Sequence, residues 1–224
     1  MNKAFDVFQE CIDSTRRLGC VYDKLHHDFP ILKTEVDDIL RVELINAISA
    51  MDRFIHEIVC IGMIEIYQEK RLPTSKWKSI KFSHDSIKKL IDVGKNMVQP
   101  NCNGDIEIVK ILNEEFKPIL KTLSFQQPDK IKDALSHIWN EEHKMQKIAG
   151  SMTSLKGTDL NQKQKYLEQK LQLIVNRRNC IVHEADWDSS NGSKYLINKK
   201  EVDDAIEFVE DFVSAIYSNV CITP

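Results

Sequence analysis

The sequence predicts an all-α protein, and three observations carry this prediction. Apolar residues recur every three or four positions through several long segments, the spacing that places them on one face of a helix. Glycine and proline are few, seven and six in 224 residues, so most of the chain has no turn signal. No segment shows the strict alternation of a half-buried strand. We therefore expect a helical bundle organised around one long central helix.

The first two helices are expected in the first third of the chain. The first runs from about residue 3 to residue 27, before Pro30 interrupts it. The second runs from about residue 33 to residue 71, because its apolar stripe is sustained and only Gly62 weakens it before a proline. Its length makes it the predicted central helix, packed against the helix that ends near His183.

The middle of the chain is predicted to be helical too. A loop from residue 73 to residue 83 precedes a helix capped by Ser83 or Asp85, and a turn follows near Asn101. Helices are then expected over 106–123, bent or broken near Pro118, and over 128–148. We expect residues 72–159 to form a helical insertion in one domain, whose core consists of about 1–71 and 160–220.

The last two helices are separated by a polar turn. One is expected from Asn161 to about Val182, after a linker of small residues. The other begins at Lys199 with Asn198 as its cap, and continues to about Tyr217.

Composition and charge narrow the class of protein. The formal net charge is -3, so the chain as a whole lacks the basic excess of a nucleic-acid-binding protein, and any RNA contact must come from a local patch. No basic segment followed by an apolar h-region is found near residue 1 and no apolar run reaches the length of a membrane span, so we expect neither a signal peptide nor a membrane helix. The six cysteines show no metal-ligand spacing and are expected to be buried thiols. These features predict a cytoplasmic protein.

One segment places polar and charged side chains in an otherwise apolar helical run. Along residues 171–186, four polar residues recur at steps of four, three and four and form one stripe: Gln172, Asn176, Asn179 and His183. The opposite, core-facing side is expected to hold Leu167, Leu173, Ile174, Cys180 and Ile181. Arg178 is placed near the edge of the polar stripe. Its long side chain is expected to reach toward His183 or toward a second subunit.

The spacing from Arg178 to His183 is R-x4-H, with polar Asn179 directly after the arginine. This motif, in a helical chain, resembles the signature of the HEPN superfamily. The resemblance implies a helical domain that dimerises, so that the motifs of two subunits face each other across the interface. It also implies a metal-independent endoribonuclease, or a member that has lost activity and acts as a binding partner.

A second segment strengthens the resemblance. Residues 43–57 resemble the first conserved helix of HEPN proteins of the RiboL-PSP group. Within this segment Asp52 and His56 lie four residues apart near the apolar stripe, whereas Glu43 and Glu57 are expected outside it. Two interpretations stay open. The pair is either structural, or it supports the site around His183 with Asp52 orienting an imidazole.

The residues suit a particular reaction. RNA is cleaved through its own 2'-hydroxyl when one group removes that proton, another protonates the leaving 5'-oxygen, and positive charge stabilises the phosphorane. His183 is predicted to transfer protons and Arg178 to bind the phosphorane, while Asn179 orients His183 and Arg177 binds a neighbouring phosphate. In the structural alternative both arginines pair with Glu184 or Asp186, and His183 caps the helix.

We expect no metal and no cofactor. His137 and His143 are six residues apart and diverge on a helix, and Cys60 stands where an H-E-x-x-H zinc motif needs its second histidine. Phosphate-binding glycine loops are absent from the sequence.

The predicted function is therefore a metal-independent endoribonuclease, acting as a homodimer with a composite site and serving as a toxin or antiviral defence effector. The alternative is a non-catalytic helical dimer that binds a protein or RNA. An antitoxin or another defence component is the partner class expected, and no membrane association is expected.

Overall fold

A computed structural model describes residues 1–29, 33–96, 104–121 and 124–221. Over these residues the chain forms nine helices and one small antiparallel hairpin: α1 (Asn2–Asp28), α2 (Lys33–Tyr67), α3 (Ser75–Lys78), α4 (His84–Asn96), α5 (Gly104–Lys121), α6 (Pro128–Leu135), α7 (Lys144–Ser151), α8 (Leu160–Glu184), β1 (Trp187–Asp188), β2 (Ser193–Lys194) and α9 (Lys199–Val220). The all-α prediction is confirmed. Pro30 and the turn predicted near Asn101 lie outside the described residues.

Helix α2 is the central helix, as predicted. It packs against α1, α5, α6, α8 and α9, so most of its circumference is covered. It ends at Tyr67, four residues before the predicted end. The backbone at Glu69 turns to a φ of 60°, and the Arg71 side chain folds back to donate hydrogen bonds to the carbonyls of Val220 and Ile138 at 3.0 and 3.3 Å. Arg71 therefore joins the end of α2 to the end of α9.

Gly62 is a close-packing position in α2. A Cβ atom added there would lie 2.7 Å from Cγ2 of Ile138 and 3.0 Å from Cε of Met1. We predict that Gly62→Ala lowers the free energy of unfolding by about 1–2 kcal/mol, because the overpacking cost of about 1–3 kcal/mol exceeds the higher helix propensity of alanine. Urea denaturation measures this change. Gly94→Ala, where a Cβ meets nothing within 4 Å, is the matched control and is expected to leave stability equal or higher. Equal effects of the two changes would contradict the prediction.

The middle of the chain departs from the prediction at two places, and the first is the short helix α3, which lies within the loop expected over 73–83. The helix expected over 128–148 is two helices, α6 and α7, separated by an irregular segment. The break leaves the carbonyls of His137 and Ile138 without helical partners, and the side chains of Thr74 and Arg71 donate hydrogen bonds to them at 2.9 and 3.3 Å. Thr74 and Arg71 both lie in the segment after α2, so the two carbonyls at the break are hydrogen-bonded only through tertiary contacts. Helix α5 continues through Pro118 and is not broken there.

The buried side chains of α1, α2, α5, α6, α7, α8 and α9 form one continuous hydrophobic cluster. Helices α5 and α6 pack on α2, while α7 contacts α8 and α9. Residues 72–159 therefore contribute directly to the core that holds α8. Their treatment as an insertion stays a prediction.

The two C-terminal helices begin at side-chain caps. The Asp159 carboxylate accepts hydrogen bonds from the backbone N–H groups of Asn161 and Gln162, and Asn198 accepts one from Glu201. The second cap was predicted and is confirmed. The polar turn between the helices contains the β1/β2 hairpin, in which Trp187 pairs with Lys194. This hairpin was not predicted. The expectation of buried thiols holds for Cys60, whereas Cys20 is exposed.

Candidate functional site

Arg178 lies at the centre of the buried face of α8. The apolar residues buried on this helix are Leu167, Leu171, Ile174, Val175 and Ile181. Positions 167, 171, 174, 178 and 181 follow one another at steps of four and three, so Arg178 occupies a core position among them. The predicted core face is wrong at Leu173, which is 69 % exposed. The predicted position of Arg178 at the edge of the polar stripe is wrong as well, because position 178 lies on the stripe of buried residues.

A cleft between α2, α5 and α8 receives the Arg178 side chain. Its volume is 580 Å³, and it is lined by Ser49, Asp52, Arg53, His56, Glu57, Cys60, Lys117, Leu120, Gln126 and Arg178. The Nε atom of Arg178 is buried and has no hydrogen-bond partner among the described residues. The cleft therefore brings the predicted supporting pair, Asp52 and His56, to the same place as Arg178.

Asp52 and His56 are held between the cleft and the core. Asp52 Oδ1 accepts a hydrogen bond from the backbone N–H of Phe125 at 2.6 Å, and the His56 ring lies against the Phe125 ring in a tilted arrangement, with 4.4 Å between the ring centroids. Asp52 Oδ2 lies 3.7 Å from His56 Nε2, close enough for an ion pair but not for a hydrogen bond. Both side chains are 23 % exposed. The pair thus anchors Phe125 and also faces the cleft, so both interpretations of it have a structural basis.

His183 lies apart from this cleft. It is exposed in the last turn of α8, and it is not among the described residues that line the cleft. Five residues along an α-helix rotate the side-chain direction by about 140° from that of Arg178. No hydrogen bond or ion pair of its side chain is seen among the described residues. Asn179 does not orient it as predicted: Asn179 Oδ1 accepts a hydrogen bond from Arg178 Nη1 at 3.0 Å.

Arg177 takes part in a buried ion-pair network. Its Nη1 lies 2.5 Å from Asp186 Oδ1, and its Nη2 donates to Asp186 Oδ2 at 2.9 Å and to the Leu196 carbonyl at 3.1 Å. Arg41 of α2 donates from Nε to Asp186 Oδ2 at 2.6 Å. The pairing with Asp186 is the structural alternative stated for this arginine. Its contact with an RNA phosphate stays a prediction.

Glu43 is the main charged residue whose position the sequence did not predict. It was expected outside the apolar stripe of α2, but its side chain is fully buried and both oxygens lack a hydrogen-bond partner among the described residues. Lys199 Nζ is its nearest charge of opposite sign, at 3.9 Å. Burial raises the pKa of Glu43 to about 7, and the ammonium of Lys199 only partly opposes this effect.

Sequence analysis also missed two residues of the cleft, Lys117 and Gln126. Lys117 comes from α5 and Gln126 from the segment before α6, far in sequence from both Asp52 and Arg178. No local motif marks them, because only tertiary packing brings these segments to the cleft. Over the described ranges no cluster of three or more metal-ligating side chains is found, and no helix there has the length and apolar character needed to cross a bilayer.

Comparison with models of protein families gives a match over most of the chain. The model of the family described as RiboL-PSP-HEPN matches residues 21–221, which includes the cleft, the R-x4-H segment and the buried ion-pair network. No curated protein and no solved structure matches the chain significantly.

Proposed function

The chain belongs to the RiboL-PSP-HEPN family, and from this premise we propose that it is a metal-independent endoribonuclease that cleaves RNA through attack of the 2'-hydroxyl. The observation that supports the proposal most directly is the position of Arg178. The Arg178 side chain is half-buried and its Nε is fully buried, which costs desolvation energy, and it faces a cleft that contains a histidine and two further cations, Arg53 and Lys117. That arrangement suits an anionic substrate.

The reaction divides into steps that these residues can perform. The 2'-oxygen forms a bond to phosphorus as a base removes its proton, and the bond from phosphorus to the 5'-oxygen breaks as an acid donates a proton to that oxygen. The products are a 2',3'-cyclic phosphate and a 5'-hydroxyl. Arg178 binds the non-bridging oxygens, where charge builds up in the transition state, and His183 transfers a proton. Asp52 and His56 support Arg178 from the opposite wall of the cleft.

The geometry of one chain explains why the proposal includes a homodimer. Arg178 and His183 point about 140° apart on α8, so they do not converge within one subunit. A two-fold axis near the exposed polar stripe of α8 brings the stripes of two copies face to face, so that the two His183 side chains supply the base and the acid. Asn179 then positions Arg178, to which it is bonded, rather than His183. The biological setting we propose is a toxin or antiviral defence effector in the cytoplasm, controlled by an antitoxin or another defence component.

One observation favours a second candidate function. His183 is exposed and no residue in the described part of the chain orients it, whereas a catalytic imidazole needs a fixed orientation. In the alternative the chain is a non-catalytic helical dimer, and the stripe Gln172, Asn176, Asn179 and His183 binds a protein or RNA.

RNA cleavage separates the two functions. We expect the purified protein in excess EDTA to cleave a mixed transfer and messenger RNA pool and to leave 2',3'-cyclic phosphate ends. Arg178→Ala and His183→Ala should each lower the rate by about 10²–10⁴-fold, the range for loss of a proton-transfer or charge-stabilising group. The cleavage rate of each variant is measured from a time course, and end-group analysis identifies the product ends. His84→Ala, which removes an exposed histidine from the start of α4, is the matched control and should cleave at the wild-type rate.

Cleavage that requires a divalent cation, or that persists in His183→Ala, would contradict the proposed mechanism. If wild-type protein binds RNA or a partner through the α8 stripe but cleaves no RNA, the non-catalytic function is the correct one.

A further inference from the structure

Helix α8 carries an exposed apolar ridge that no step of the proposed reaction uses. The ridge consists of Tyr166, Gln169 and Leu173, and its two apolar members, Tyr166 and Leu173, are 51 % and 69 % exposed. The three positions follow one another at steps of three and four, so they lie on one line along the helix. At about 100° per residue, Leu173 lies roughly 140° around α8 from Arg178 and about 90° from the centre of the polar stripe. The ridge is therefore a surface distinct from the cleft and from the stripe.

Two grooves flank the ridge, one on each side. The groove between α8 and α9 has a volume of 360 Å³, and the groove between α6, α7 and α8 has a volume of 780 Å³. Leu173 and Gln169 line both grooves, and apolar side chains contribute to each floor: Tyr166, Ile174 and Ala205 in the first, Pro128 and Met145 in the second. Leu173 thus stands between two mostly apolar depressions, and the side chains of a partner can pack on either side of it.

The rim of the two grooves is acidic. Four carboxylates line them against two ammonium groups, those of Asp129, Glu168, Glu201 and Asp204 against those of Lys132 and Lys170. Within the part of the chain that the structure describes, none of the four carboxylates is in an ion pair. Lys170 is turned toward its own chain, because its Nζ lies over the Phe208 ring, 5.1 Å from the centroid. The rim therefore offers negative charge that no neighbouring cation neutralises.

This charge decides between the possible occupants of the ridge. RNA and an anionic membrane surface both present phosphates, which an acidic rim repels. A second copy related by a two-fold axis through Leu173 would place the same acidic rim against itself. A protein segment with basic side chains is attracted instead. Tyr166 and Leu173 are about 10.5 Å apart along the helix axis, which matches the i and i+7 anchors of an amphipathic helix laid along the groove.

We propose that the apolar ridge binds a basic amphipathic helix of a partner protein. The apolar side chains of that helix pack against Tyr166 and Leu173 and enter the two grooves, and its Lys or Arg side chains pair with Glu201 and Asp204 of α9. This surface adds a docking site for a controlling partner to the proposed function. Binding there does not depend on whether the chain cleaves RNA, because the ridge contains neither Arg178 nor His183.

Fluorescence anisotropy of a labelled peptide tests this binding. The probe is a synthetic helix of about 18 residues, or five turns, in which leucines form one face and lysines flank it. A second peptide has the same leucines and a glutamate in place of every lysine. We expect the lysine peptide to bind the full-length protein about tenfold more tightly than the glutamate peptide, because only the lysine peptide complements the acidic rim. Its affinity should fall as the salt concentration rises.

Substitutions at exposed positions locate the binding to the ridge. Leu173→Ser should weaken the affinity for the lysine peptide about tenfold, because it removes the central apolar contact. The double change Glu201→Lys and Asp204→Lys should weaken it to a similar extent, because it reverses the charge of the rim. Val182→Ser is the matched apolar control, since Val182 is 42 % exposed on the same helix but lines neither groove. Glu107→Lys, at an exposed position on α5, is the charge control, and both controls should bind as the wild type does.

Equal affinities of the two peptides, or of the wild type and Leu173→Ser, would overturn the docking surface. A wild-type dimer that becomes a monomer in Leu173→Ser, measured by analytical ultracentrifugation, would also overturn it, because a second copy would then cover the ridge. RNA cleavage is a separate readout, and Leu173→Ser should cleave at the wild-type rate. A wild type that binds the lysine peptide at the ridge but cleaves no RNA retains the docking surface and removes the ribonuclease function. Cleavage without ridge-dependent binding does the reverse.

Discussion

Replacing Asp186 with asparagine is expected to lower the free energy of unfolding by about 3 kcal/mol, and replacing it with alanine by about 3–5 kcal/mol. Asp186 is fully buried and pairs with two arginines, Arg41 of α2 and Arg177 of α8. Removal of its charge leaves both guanidinium groups without their shared counter-ion, and Arg41 is itself 7 % exposed. A loss of this size corresponds to a fall in Tm of about 10 °C in a chain of this length.

The two substitutions separate charge from backbone conformation. Asp186 adopts a φ of 60°, in the left-handed region, which asparagine tolerates better than alanine. Asn therefore removes the charge and one acceptor oxygen, and the further loss in Ala combines the conformational cost with the loss of the remaining acceptor. Asp38→Ala is the control, since Asp38 also pairs with Arg41, at 3.1 Å, but its side chain is 54 % exposed. That change should cost less than about 1 kcal/mol.

Thermal and urea unfolding of Asp186→Asn, Asp186→Ala and Asp38→Ala measure these changes in the free energy of unfolding. A value for Asp186→Asn within about 0.5 kcal/mol of the wild type would show that the network does not stabilise the fold, because changes of that size are typical of surface positions. The network also fixes the C-terminal end of α8 against α2, since Arg41 donates to the Tyr195 carbonyl at 2.7 Å as well as to Asp186. Loss of Asp186 should therefore also displace His183, three residues earlier.

The sequence predicted the fold class, the central helix and most helix boundaries, because long apolar stripes and capping residues are local signals. The Asn198 cap and the start of α2 follow from such signals. The break between α6 and α7 does not follow from a local signal. It depends on Arg71 and Thr74, which are distant in sequence and supply the hydrogen bonds that the interrupted helix lacks.

The same distinction holds for the candidate site. The polar stripe of α8 is predicted from the sequence, but so are a position of Arg178 at the edge of that stripe and a core position of Leu173, which is 69 % exposed. The steps of four and three through Leu167, Leu171, Ile174 and Ile181 mark the true core stripe, and they place Arg178 on it. That signal was present in the sequence. No comparable signal marks Lys117 or Gln126, whose approach to Arg178 is a product of the tertiary fold.

Glu43 shows why a single apolar stripe is a poor guide for a central helix. Helix α2 is packed by other helices on most sides, so a residue outside the main stripe is still buried. Gly19 of α1 lies directly over Glu43, where a Cβ atom would be 3.1 Å from its Oε2. The close approach of α1 keeps water from the carboxylate, which is the physical cause of its raised pKa.

The buried Glu43 carboxyl should make stability depend on pH in a defined window. The pKa of Glu43 is raised from 4.5 to about 7 in the folded protein. Between these two values the folded state retains a proton that the unfolded state has lost, so this group lowers stability as the pH rises from about 4.5 to 7 and contributes no further change above that. The shift corresponds to at most about 3 kcal/mol.

We expect Glu43→Gln to remove this dependence, because glutamine fills the same space and stays neutral at every pH. The variant should match the wild type near pH 4.5 and exceed its free energy of unfolding by about 2–3 kcal/mol at pH 7.5. Urea unfolding at a series of pH values measures the difference, in which the titration of all other groups cancels. Glu10→Gln, an exposed position on α1, should leave a constant difference across the series. A Glu43→Gln variant that is less stable than the wild type at pH 7.5 would instead mean that Glu43 is ionised in the folded protein and stabilised by Lys199, despite their separation of 3.9 Å.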